Sequence, residues 1–128
     1  MTAPPKRFSI RSRLRSVYYA FRGARLIVTS QHAAWIHAGW TVGVVVAGFC
    51  FRLDRLEWCA IVLAVMAVWT AEGMNTALEF LCDVASPETH PLIEKSKDVA
   101  AGAVLFSAVG AIVIGLLILG PHLLAILR

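Results

Sequence analysis

Residues 58–84 read WCAIVLAVMAVWTAEGMNTALEFLCDV, and the two halves of this stretch differ in character. From Trp58 to Ala71 there is no charged residue, whereas Glu72, Asn75, Thr76, Glu79 and Asp83 follow within the next twelve. No proline interrupts the run, so one helix accommodates both halves. At about 100° per residue, with Glu72 at zero, Asn75 falls near −60°, Thr76 near 40°, Glu79 near −20° and Asp83 near 20°. All five therefore share an arc of about 100°. A stripe this narrow on an otherwise apolar helix faces protein or water and not acyl chains, because an ionised side chain at the centre of a bilayer costs about 3 kcal/mol or more.

Depth separates the two glutamates. If Trp58 marks the outer membrane boundary, about 20 residues of rise put the inner boundary near Leu78. Glu79 then stands at headgroup level, where it can bind a cation in contact with water, and Glu72 lies roughly 9 Å deeper. The less hydrated Glu72 suits removal of a proton from a lipid hydroxyl. Hydrogen bonds between helices account for Asn75 and Thr76 on their own, but such bonding does not require two ionisable groups.

Working outward, the composition makes the same case for a membrane. Of the 128 residues, 59% are hydrophobic and 16% charged, and mean hydropathy is +0.73. These values exclude a soluble domain and a disordered chain. Residues 33–51 form a first span whose one ionisable member is His37, read as a packed or interfacial residue. A third helix over 92–119 is uncharged from Val99 onward, and Gly120-Pro121 reads as its stop signal. Between the spans, residues 52–57 make a short turn with two bases and two acids, and residues 85–91 a polar loop holding two prolines and His90.

The N-terminal part is of another kind. Residues 1–8 read as a basic tail, and residues 9–30 as an amphipathic helix lying in the membrane interface, with Ile10, Leu14, Val17, Tyr18 and Phe21 recurring at steps of three and four. Lys6, Arg7, Arg11, Arg13, Arg15, Arg22 and Arg25 give residues 1–25 a charge of +7, while five bases and eight acids leave the remainder at −3. Basic residues beside spanning segments mark the cytoplasmic side, so the N-terminus is expected inside and, after three spans, the C-terminus outside. So localised a charge argues for lipid headgroups and against a nucleic-acid partner. Cys50, Cys59 and Cys82 show no metal-site spacing and read as reduced core residues. The tryptophans read as boundary or packing aromatics, and no cleavable export signal is visible.

The run Ala71-Glu72-Gly73-Met74-Asn75-Thr76-Ala77-Leu78-Glu79, with Asp83, Ser86-Pro87-Glu88, His90-Pro91-Leu92 and Lys97-Asp98-Val99-Ala100-Ala101-Gly102-Ala103-Val104-Leu105, strongly resembles the small prokaryotic diacylglycerol kinase family, which includes undecaprenol kinases. The resemblance covers essentially the whole chain. It implies an all-α integral membrane protein in the bacterial cytoplasmic (inner) membrane, a single kinase domain over 1–128 that assembles as a homotrimeric helical bundle. The implied reaction is ATP- and Mg2+-dependent phosphorylation of a lipid alcohol, diacylglycerol to phosphatidic acid, with undecaprenol as the alternative acceptor. By matching position Glu72 resembles the catalytic base and Glu79 a metal ligand, with Asn75 organising the phosphate and the base and, with Glu72, meeting the lipid substrate. Lys97 resembles the lysine on the transferred phosphate, and Asp98, Asp83 and Glu88 polar residues around the nucleotide. Tyr19 and Arg15 occupy the surface-helix region that flanks it.

One position departs from the family pattern. Where the family usually has a metal-binding glutamate, this chain has Gln31, and a neutral amide oxygen can still ligate magnesium with one negative charge fewer. The rival from another class is a small interaction or ion-coupled subunit that uses the acidic stripe as a proton site and functions without nucleotide.

Overall fold

The protein's computed structural model describes residues 9–30, 32–85 and 90–128. These form four helices: α1 (Ile10–Ser30), α2 (His32–Phe51), α3 (Arg55–Ala85) and α4 (Pro91–Ile126). Among the described residues there is no strand. The last three helices are long and apolar enough to cross a membrane, where a helix satisfies every backbone polar group within its own segment. Antiparallel α3 and α4 form the main interface, α2 lies along both, and α1 rests on α2 and α3.

The buried face of α3 runs through Ile61, Ala64, Val68, Glu72, Asn75, Thr76 and Cys82. Steps of three, four and seven place these on one side of a helix of 3.6 residues per turn. The polar stripe is therefore the C-terminal half of the same face whose N-terminal half is apolar. Gly73 lets α1 come close to this region, because a Cβ there would stand 2.9 Å from Cδ1 of Ile27.

The bounds of α1, α2 and α3 fall within three residues of those expected, but the end of α4 differs. The helix passes through Pro121 and continues to Ile126, so Gly120-Pro121 is not a stop. Proline at this position removes one helical donor, while the turn that follows is fixed from outside. His122 Nε2 lies 2.8 Å from Glu57 Oε1 at the start of α3, and its ring stacks on Phe51 at the end of α2, centroids 6.0 Å apart and planes 12° off parallel.

The turn between α2 and α3 is set by local chemistry. The Leu53 N–H donates to the Gly48 carbonyl (3.1 Å) and the Arg52 N–H to the Phe49 carbonyl (3.2 Å), a Schellman C-cap in which Arg52 takes the left-handed conformation with φ 55°. Buried Leu53 and the Trp58 ring close over Gly48. Asp54 Oδ1 then accepts from the Leu56 and Glu57 N–H groups (2.7 and 2.9 Å), while Glu57 Oε2 accepts from the Asp54 N–H (2.8 Å). This is a reciprocal capping box opening α3. At the other connection His90, expected to be an ordinary loop residue, is the N-cap of α4, its Nδ1 accepting from the Leu92 N–H (3.2 Å) ahead of Pro91.

Arg52→Gly is expected to stabilise the fold by about 1 kcal/mol, since glycine adopts φ 55° without the Cβ conflict. Gly48→Val is expected to destabilise it by about 1–3 kcal/mol, because its Cβ would lie 2.8 Å from the Trp58 ring. Thermal unfolding in detergent micelles checks both signs.

Candidate active site

Burial on α3 follows the rotation of the helix. Glu72 is 2% exposed, Thr76 2% and Asn75 9%, while Glu79 is half-buried and Asp83 exposed. The stripe thus grades from protein interior to solvent along two and a half to three turns, as the depth argument anticipates. Thr76 satisfies its hydroxyl by donating to the Glu72 carbonyl (2.9 Å), which leaves the Glu72 side chain for other partners.

Asn75 has a divided role. Its Nδ2 donates to Glu79 Oε1 (2.9 Å), tying the buried and half-exposed turns together, whereas its Oδ1 is buried without a hydrogen-bond donor among the described residues. An unsatisfied buried acceptor costs about 1–3 kcal/mol. Such a cost within the stripe marks a position for a donor or cation not found among the described residues.

α4 brings the opposite charge to the same end. Lys97 Nζ donates to Asp83 Oδ1 at 2.7 Å across the α3–α4 hairpin, so the lysine expected on a transferred phosphate sits one to two turns beyond Glu79 and close to the stripe's solvent end. Asp98 is exposed on the next position of α4. The arrangement offers carboxylates, an amide and an ammonium within one polar corner, the group types that position and neutralise phosphates.

Other expected contributors lie apart. Tyr19 is exposed on α1 and meets Tyr18 edge-on at 5.8 Å between ring centroids. Arg15, also exposed, lines an open hollow with Ser9, Arg11 and Ser12 at the start of α1. No hydrogen bond or ion pair among the described residues joins either of them to the acidic stripe. Gln31 and Glu88 lie outside the described residues. No cluster of three or more His, Cys, Asp or Glu side chains able to hold a metal occurs among the described residues.

The structure adds a residue that sequence periodicity leaves aside. His37 Nε2 on α2 lies 3.9 Å from Glu72 Oε2, with both side chains largely buried. A histidine within an apolar run is the one available signal, and it says nothing about the partner.

Comparison with known proteins follows the same lines. A family model described as prokaryotic diacylglycerol kinase matches residues 18–119. The chain is 36% identical over 109 residues to the undecaprenol kinase of Bacillus subtilis (strain 168), covering 85% of this chain and 89% of that one. It is 33% identical over 113 residues to a diacylglycerol kinase of Synechocystis, covering 88% of this chain and 65% of the relative. To the diacylglycerol kinase of Escherichia coli (strain K12) it is 26% identical over 110 residues, covering 85% of this chain and 89% of the relative.

Asn75→Leu is expected to unfold at the same or a higher temperature, since it removes a buried acceptor that has no donor among the described residues. Asp83→Asn, which breaks only a solvent-exposed pair with Lys97, is expected to leave the unfolding temperature nearly unchanged. Thermal scans of both variants in micelles test whether these side chains are kept for folding or for another purpose.

Proposed function

This chain belongs to the prokaryotic diacylglycerol kinase family and is a lipid kinase, and from that premise we propose that it transfers the γ-phosphoryl group of ATP to diacylglycerol, making phosphatidic acid and ADP. The observation that carries the reading is the graded stripe of α3, with Glu72 buried, Glu79 at the solvent edge and between them the Asn75 amide oxygen, which has no donor among the described residues. The lipid hydroxyl gives its proton to the Glu72 carboxylate as its oxygen forms a bond to the γ-phosphorus. The bond from that phosphorus to the β–γ bridging oxygen breaks, and the electron pair leaves with ADP. Little covalent chemistry is asked of the protein, which chiefly positions two substrates and balances charge.

Magnesium fits the donor set. Glu79 carries carboxylate oxygens and Asn75, one turn before it on α3, an amide oxygen, and Mg2+ is commonly held by one or two such hard protein oxygens together with substrate phosphates and water. Gln31 is the proposed further ligand. Magnesium bound there would neutralise the phosphate oxygens of ATP. Lys97, on the same polar corner, is assigned to the transferred phosphate, a contact that requires exchanging its Asp83 partner for a phosphate oxygen. Asp98, Asp83, Glu88, Tyr19 and Arg15 complete the proposed nucleotide surroundings, the last two through movement of α1 or a neighbouring subunit.

A second acceptor has a specific observation in its favour. The Bacillus subtilis relative, 36% identical, is named undecaprenol kinase, and both lipids present a hydroxyl at the same depth. The assembly is proposed to be a homotrimer in the bacterial cytoplasmic membrane, N-terminus inside and C-terminus outside. Supporting this, α4 buries no residue within one chain and α2 only Ala34 and Gly48, which leaves broad apolar faces for other subunits or lipid.

Purified protein with labelled ATP and magnesium, offered diacylglycerol and undecaprenol in turn, is expected to phosphorylate diacylglycerol; label on undecaprenol alone would transfer the assignment to the second acceptor, and label on neither would refute the kinase reading of the stripe. Glu72→Gln is expected to reduce turnover by about two to four orders of magnitude with folding intact; near-normal turnover would remove its assignment as base. Gln31→Glu, which adds a charge to the proposed magnesium ligands, is expected to shift half-maximal activity to lower magnesium, and an unmoved titration would strike Gln31 from the set.

A further inference from the structure

His37 is the ionisable residue in the apolar run of α2, and neither the packing nor the phosphoryl-transfer step described above uses it. Its side chain is 17% exposed and that of Glu72 3%, with Nε2 of one 3.9 Å from Oε2 of the other. Among the described residues no side chain hydrogen-bonds the Glu72 carboxylate, so the imidazole is the polar neighbour that restricts it. A buried imidazole is costly to keep without a partner, and leucine or methionine would fill the same volume at no such cost.

A second contact fixes the meeting of these two side chains. Trp69 Nε1–H on α3 donates to Thr41 Oγ1 on α2 at 3.1 Å, and the Thr41 hydroxyl donates to the His37 carbonyl at 2.7 Å. Thr41 stands one turn after His37, and Trp69 three residues before Glu72. The bridge therefore clamps α2 to α3 in the register at which imidazole faces carboxylate. Helices that slid or rotated by one position would part the pair and break the bridge together.

We propose that His37 is a positioning residue for Glu72. Its imidazole holds the Oε2 side of the carboxylate toward α2 and leaves the other oxygen to meet the lipid hydroxyl. The inference rests on Glu72 being the base. At 3.9 Å the contact is longer than a hydrogen bond, and such contacts at a base characteristically tighten when substrate enters. Orientation of a base by a third group recurs wherever a proton must be taken in one direction. Here the arrangement is inverted relative to the familiar one, with an imidazole orienting a carboxylate.

The test uses the full-length protein in mixed micelles with labelled ATP, magnesium and whichever lipid alcohol the unaltered protein phosphorylates. His37→Leu is expected to lower kcat by about tenfold or more while the KM for ATP stays within about twofold. His37→Gln, whose amide can also donate toward the carboxylate, is expected to recover part of that loss, and both variants are expected to unfold close to the unaltered protein. In a Glu72→Gln background His37→Leu should remove nothing further, because a residue that acts through another has no effect once the other is gone. Unchanged kcat in His37→Leu, losses that multiply in the double variant, or equal losses in Leu and Gln variants tracking a loss of folded protein would overturn the proposal. Near-normal turnover of Glu72→Gln alone would instead remove the reading beneath it. That outcome differs from a silent His37 beside an inactive Glu72→Gln.

Discussion

A carboxylate buried on the C-terminal half of a helix long and apolar enough to cross a membrane is the constraint around which the rest of the molecule is arranged. Lipid cannot stabilise an ionised Glu72, so the face of α3 that carries it must turn inward. That requirement sets the rotation of α3, and with it the inward placement of Ile61, Ala64 and Val68 in the N-terminal half. Asn75 and Thr76 share the face and are buried by the same rotation. Glu79, two turns beyond Glu72, is the point at which the face emerges toward water. The proposed chemistry and the folding therefore share one surface of one helix, and a substitution that serves one can harm the other.

The remaining elements hold that helix at both ends. At the N-terminal end of α3 the Arg52 C-cap, the Asp54–Glu57 capping box and the His122–Glu57 contact bind α2, α3 and α4 within a few residues of one another. At its C-terminal end the Lys97–Asp83 pair joins α4 to α3. Midway, Trp69 and Thr41 join α2 to α3. The contacts at the α2–α3 turn are closed and satisfied, whereas the C-terminal half of α3 retains an acceptor with no donor among the described residues, Asn75 Oδ1. That asymmetry is what the proposed site rests on.

Much of this was legible in the sequence, because helices repeat every 3.6 residues and hydrocarbon has a known thickness. Three apolar runs of spanning length, the amphipathic segment of α1 and the five-residue polar arc of α3 each depend on spacing within one element. The Schellman turn and the D-x-x-E capping box were less visible, since Arg52 in the left-handed region runs against residue preference. Gly120-Pro121 misled for a related reason. Breaker residues signal a local tendency, and His122, held by Glu57 and Phe51, overrode it.

What the sequence by itself determined is that there are four helices, the bounds of the first three to within three residues, and the face of α3 that must be buried, all of which follow from periodicity and the cost of charge in lipid. What only the tertiary structure decided is which faces meet. His122 finds Glu57 from 65 residues away, Trp69 finds Thr41 from 28, and Lys97 finds Asp83 from 14. The partner of Glu72 on α2 belongs to the same class. Each of these contacts depends on the relative rotation and register of two helices, and the period of neither helix contains that information.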